Sequence, residues 1–152
     1  MGYVLKQAAS ALRAAMDMAL RPMELSVPQY ACLELLGQQP GLSSAELARG
    51  VFVTRQSMHG VLRGLHDRGL LTRPDSAPHG RALPTRLTPA GRRRLHAAST
   101  AARAVEQQML TPLPPTAQRR LRDDLATCAS TLTAHTGSEH TAQMPSRHPG
   151  GP

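Results

Sequence analysis

Gln56, His59, Gly60 and Arg63 recur at i, i+3, i+4 and i+7, and Met58, Val61, Leu62 and Leu65 repeat that interval two residues on. On a helix the two sets take opposite faces, one apolar and one polar. The chemistry open to the polar set is recognition. A glutamine offers a donor and an acceptor together, which suits adenine, and an arginine offers a two-pronged donor, which suits guanine. Thr54 precedes this helix as a cap, and Arg55 and Ser57 lie beside the reading face. The candidate binding residues here are Thr54, Arg55, Gln56, Ser57, His59 and Arg63.

The surrounding charge agrees. Nine of the eighteen basic residues fall between Thr54 and Arg94, opposed only by Asp67 and Asp75, so nearly all of the net charge of +8 sits in that stretch. A protein that concentrates cations on one helix and the loop beside it is built to meet a dense line of phosphates. Arg92, Arg93 and Arg94 are left out of the site: consecutive residues point around a helix, so at most one or two reach DNA while the others solvate the helix.

Other chemistries find less support. No glycine-rich phosphate loop follows a strand, and the ten scattered carboxylates offer no nucleophile, base and orienting acid, so no enzymatic activity and no cofactor are expected. His59, His66, His79 and His96 have no cysteine or carboxylate at metal-ligand spacing, and His135, His140 and His148 lie in or beside the C-terminal tail. Cys32 and Cys128 match no zinc spacing, and a reducing interior is the expected setting. Cys32 sits in an apolar run, as a small buried hydrophobe does, with a redox thiol as the alternative. Arg13 and Asp17 interrupt the only apolar N-terminal stretch, so neither a signal peptide nor a membrane span is expected.

The elements that must position these residues follow from periodicity and punctuation. With 152 residues and only Tyr3, Tyr30 and Phe52 as aromatics, a mainly α protein with a core of Leu, Val, Ala and Met is expected. Leu5, Ala8, Leu12, Ala15, Met16 and Ala19 mark a first helix from Tyr3 to Leu20, stopped by Pro22. Pro28 opens a second, with Tyr30, Cys32, Leu33 and Leu36 toward its apolar side, and Pro40-Gly41 closes it. Ser43-Ser44-Ala45-Glu46 has the form of a capping box for a short third helix, Ser44 to Arg49. Gly50 then permits a tight turn, with Val51 and Val53 plugging the core. The fourth helix, which carries the reading face, runs to about Arg68.

Leu70 to Arg73 reads as a strand, Pro74 to Gly80 as a loop, and Arg81 to Leu87 as a returning strand whose Pro84 confines it to an edge or a bulge. Thr88-Pro89 starts a long fifth helix to about Leu110, and Leu121, Leu125, Cys128 and Leu132 form a narrow seam on a sixth. Residues 28–88 thus form a winged helix-turn-helix, residues 1–27 and 89–135 supply a helical dimerisation region, and residues 136–152 read as a disordered tail.

Through "VPQYACLELL", "SSAELARGVFVTRQSMHGVLRGLHDRGLLTR" and "GRALPTRLTPAGRRRL", residues 3 to 135 resemble the MarR family of bacterial transcriptional regulators. The resemblance implies four helices, a strand, a wing, a returning strand and two further helices. It also implies a cytoplasmic, nucleoid-associated homodimer that represses from a pseudo-palindromic operator and is often relieved by a small ligand, here expected to be phenolic or an aromatic acid. Two recognition helices would then enter successive major grooves about 34 Å apart. By the same resemblance Met16, Met23, Tyr30 and Cys32 lie near the ligand crevice between the first, second and fifth helices, although each also fits the core. Arg81 at the wing would border a minor groove, and Arg73 and Arg86 would touch phosphates. One departure is that His79 stands two residues before Arg81, where many members carry an Asp. The alternatives are a thiol-based regulator acting through Cys32 or Cys128, a nonspecific basic architectural protein, and a ligand-sequestering dimer that no longer binds DNA.

Overall fold

The computed structural model describes residues 1–72 and 84–141, and side chains as far as Leu132. The helices are α1 (Gly2–Leu20), α2 (Val27–Gln38), α3 (Ser44–Gly50), α4 (Arg55–Asp67), α5 (Pro89–Leu110) and α6 (Pro115–Thr141), and two short strands, β1 (Leu71–Thr72) and β2 (Arg86–Leu87), separate α4 from α5. The chain divides into two units, residues 1–109 and the segment from Leu110 onward, which is mostly α6.

In the first unit a single core joins α1 to α5. Leu20, Cys32, Leu33, Leu36, Leu47, Met58, Leu62, Leu65 and Leu71 are fully buried in it, with Ala98 and Ala102 of α5 closing one side. Each such leucine contributes about 1.5–3 kcal/mol of transfer free energy. The alanines let α5 lie close to the helices below it.

Local chemistry sets the helix starts. Ser43 accepts from the Glu46 amide at 3.3 Å while Glu46 accepts from the Ser43 amide at 2.8 Å, the reciprocal cap that the sequence predicts. The same hydrogen bonds hold the Glu46 carboxyl below the usual carboxylate range. A second box, formed by Ser26 and Gln29, starts α2 at Val27, one residue before the Pro28 expected to open it. Thr54 caps α4 by accepting from the Ser57 amide at 3.1 Å.

Two turns differ from expectation. Gly50 belongs to α3, where a Cβ would come within 2.4 Å of Leu35 Cδ2, so glycine serves close packing there and not the turn. The left-handed residue between α3 and α4 is Phe52, at φ 59°. At the other end of the chain, α6 continues to Thr141, beyond the Thr136 at which the tail is expected to begin.

Two strand segments lie within the described residues. β1 and β2 pair antiparallel, Leu71 opposite Leu87 and Thr72 opposite Arg86, and the wing residues 73–83 lie outside the described residues. Buried Thr85 extends the pairing to the α2–α3 connection: its amide donates to the Leu42 carbonyl and its carbonyl accepts from the Gly41 amide.

Thr88 ties this sheet to two helices. Its hydroxyl donates to the Gly69 carbonyl at 2.7 Å and accepts from the Gly91 amide at 2.9 Å, which caps α5 on the end of α4. Gly69 closes α4 in the left-handed region, at φ 65°. Gly91 brings α5 against β1 so closely that a Cβ would stand 1.9 Å from the Leu70 carbonyl oxygen.

Glycine substitutions separate these roles. Gly91→Ala meets backbone that cannot swing aside and should cost about 3 kcal/mol or more. Gly60→Ala, in mid-helix with nothing within 4 Å of the new methyl, should stabilise the fold by about 0.5–1 kcal/mol. Denaturant unfolding of both variants checks this, and equal effects would refute the close approach at Gly91.

The cysteines separate as cleanly. Cys32 is buried and its thiol is pushed up to about 12 by desolvation, whereas Cys128 is exposed on α6. The raised folded value favours the fold below the unfolded thiol range near 9, and that contribution is lost as pH climbs toward the folded value. At neutral pH a thiol reagent should leave Cys32 intact until the chain unfolds. Rapid native-state labelling of Cys32 would show the core to be open.

Candidate nucleic-acid interface

The orientation of α4 is decided by its apolar side. Met58, Leu62 and Leu65 are fully buried and Val61 is half-buried, which leaves Arg55, Gln56, His59, Gly60 and Arg63 exposed on the other side. Among the described residues no carboxylate pairs with Arg55 or Arg63. Two cations, a glutamine and a histidine therefore stand in solvent without neutralisation, and Gly60 between them carries no side chain to hold a partner off. Such a face is shaped for the floor of a major groove and its flanking phosphates.

Thr54 and Ser57 play a different part. Besides the cap, the Thr54 hydroxyl donates to Ser57 Oγ at 2.9 Å, so the two side chains are committed to each other. They fix the first turn of α4.

The remaining arginines divide by contact. Arg68 donates to the carbonyls of Met23 and Glu24 and stands 3.6 Å from the Glu24 carboxylate. Arg94 donates to the same Met23 carbonyl from α5. Together they clamp the turn after α1, in which Glu24 is left-handed at φ 54°. Arg94 is thus an anchor and not the solvated residue expected of that triplet, while Arg93 is exposed. Arg73, His79 and Arg81 lie outside the described residues.

Arg86, expected at a phosphate, borders a cleft of about 490 Å³ between α2, β2 and α5. Arg92, His96, Ser99 and Arg103 line the α5 side of that cleft, and Leu36 and Leu95 give it apolar wall. Among the described residues no carboxylate lines it. Arg92 also donates to the Leu87 carbonyl at 3.2 Å, which fixes it over β2. Three guanidiniums beside leucine walls suit a small, flat anion.

The four residues expected near a crevice between α1, α2 and α5 are placed as follows. Cys32 and Tyr30 are in the core, and Met16 and Met23 pack against it half-buried; none lines the cleft. The Tyr30 phenol is pushed up by burial, partly offset by a hydrogen bond with Ser99. The cleft did have a signal in the sequence: Arg92, His96, Ser99 and Arg103 recur at i, i+4, i+7 and i+11, one face of the fifth helix. Among the described residues no group of three or more His, Cys, Asp and Glu is placed to hold a metal ion, and no helix is long and apolar enough to cross a membrane.

Comparison with known proteins gives this geometry a family. Residues 24–82 match the model of the MarR family. The chain is 43% identical over 122 residues to the HTH-type transcriptional repressor Rv2887 of Mycobacterium tuberculosis, spanning 80% of this chain and 88% of the repressor. Solved structures of that mycobacterial protein superpose on the fold. Its complex with DNA is 39% identical with a TM-score of 0.72, covering 84% of this chain and 96% of that one. Its complex with salicylic acid is 41% identical with a TM-score of 0.69, covering 84% and 95%. A transcriptional repressor named CouR, bound to a 23-mer DNA duplex, is 28% identical with a TM-score of 0.78, covering 85% and 92%. With a helix-turn-helix, paired wing strands and this identity along most of its length, the chain belongs to the MarR family of transcriptional regulators.

Proposed function

We propose that the chain is a homodimer that represses transcription from a pseudo-palindromic operator and releases it when a small aromatic acid fills the arginine-lined cleft. The observation that carries the DNA half is the exposed face of α4, where Arg55, Gln56, His59 and Arg63 stand clear of any carboxylate among the described residues. Gln56 pairs with adenine and Arg63 with guanine, each through two parallel hydrogen bonds. Arg55 and His59 reach flanking phosphates, Arg73 does the same from the start of the wing, and Arg81 enters the adjacent minor groove. Support comes from the mycobacterial relative and from CouR, both solved on DNA.

Dimerisation is supported by apolar surface that a lone chain leaves wet. Tyr3, Val4, Leu5 and Met18 of α1 are exposed, and so are Leu121 and Leu125 of α6. In the proposed dimer the two α4 helices enter successive major grooves on one side of a duplex, which lie about 34 Å apart.

The effector half rests on the cleft. Arg86, Arg92 and Arg103 offer forked donors to a carboxylate, and Leu36 and Leu95 offer a surface to an aromatic ring. The mycobacterial relative has been solved with salicylic acid and with p-aminosalicylic acid. The cleft joins α2 to β2, the strand that leads out of the wing, so an occupant that fits one wing position better than another shifts the dimer toward that position.

Two experiments test the halves separately. Selection from random duplexes should return a dyad site, and Arg63→Ala should weaken binding to it by about 1–3 kcal/mol per half-site while the dimer stays intact. Equal affinity of the native chain for scrambled duplexes would instead mark a nonspecific DNA-binding protein. Salicylate should release the native dimer from that site. Arg103→Ala should bind the operator as before and resist release; release unchanged by that substitution would place the effector elsewhere.

A further inference from the structure

Phe52 is the chain's one phenylalanine, and the fold spends it on solvent: the ring is 90% exposed in the turn between α3 and α4. Its neighbours Val51 and Val53 both pack against the core, so the ring is turned out from a backbone held on either side. That backbone is tied down as well, by the Phe52 amide donating to the Arg49 carbonyl and the Val53 amide to the Ala48 carbonyl. The φ of 59° is the left-handed region, which glycine or asparagine enters far more readily than an aromatic residue. The folded monomer therefore bears both backbone strain and a wet ring at a position that a smaller residue would fill without either.

Among the described residues nothing covers the ring, which directs attention to a partner outside the chain. It precedes by two residues the Thr54 cap of α4, and the residues around it, Arg49, Gly50, Thr54, Arg55 and Gln56, are all exposed and mostly polar. One ring among arginines is far too little for a protein interface, which needs about 800 Å² from each partner. It is enough for the C5 methyl of a single thymine, the apolar mark of that base in the major groove, which phenylalanine is able to cover.

We propose that Phe52 is a base-reading residue that packs on a thymine methyl at the edge of the groove entered by α4, adding an apolar element to the polar readout by Gln56 and Arg63. This rests on the DNA-binding role assigned to α4 above.

The test uses the full chain and the duplex it selects from a random pool. Replacing thymines with uracil one at a time removes only the methyl. One thymine in each half-site should matter, its loss weakening the native chain about four-fold. Phe52→Gly and Phe52→Asn should bind the unmodified duplex roughly ten-fold more weakly and be indifferent to that uracil, with Tm equal to or above that of the native chain. Variants that bind as the native chain does, that still sense the uracil, or that both lose Tm would overturn the proposal, as would a native chain blind to every thymine methyl. Failure of the underlying reading looks different, since then the native chain selects no site and Arg63→Ala changes nothing.

Discussion

The buried stripe of Met58, Leu62 and Leu65 is the constraint from which the rest follows. Because these three side chains are fully enclosed, α4 cannot rotate about its axis without drawing a charged residue into the core, a cost of several kcal/mol per ion. The opposite face is thereby fixed toward solvent with its cations displayed, although the helix holds two glycines, Gly60 and Gly64, that weaken it in isolation. Tertiary packing holds a helix whose sequence favours contact over propensity.

The same economy appears at the junction below α4. One hydroxyl, that of Thr88, joins the end of α4 at Gly69 to the start of α5 at Gly91, while the glycine at 91 lets α5 approach the Leu70 backbone. The wing strands, the reading helix and the long α5 meet at these few residues. Displacement at the cleft beside β2 and α5 is thus adjacent to the anchor of the reading helix, which is the physical route by which an occupant would be felt at the operator.

Much of this was legible in residue order. The capping box at Ser43 and Glu46, the Thr54 cap and the Thr88-Pro89 start follow from local hydrogen bonding, which the chain specifies within four residues. The two faces of α4 follow from a period of 3.6. What did not show depends on neighbours distant in sequence. Gly50 and Gly91 look like turn and helix-start glycines, but their reasons are Leu35 and the Leu70 carbonyl. Arg94 looks like one of a solvated triplet, yet its partner is the Met23 carbonyl, 71 positions away. The cleft eluded a search guided by methionines and aromatics because neither type is among its lining residues, and the helical spacing of Arg92, His96, Ser99 and Arg103 carried its signal.

The central claim is that the cationic face of α4 is the surface that meets the operator. Backbone amide NMR of the chain, titrated with the duplex it selects, reads this residue by residue. The account predicts the largest shifts across Arg55 to Arg63, with little change in the cleft residues His96 to Arg103. Shifts concentrated in α5 or α6, with the α4 amides undisturbed at saturation, would contradict it.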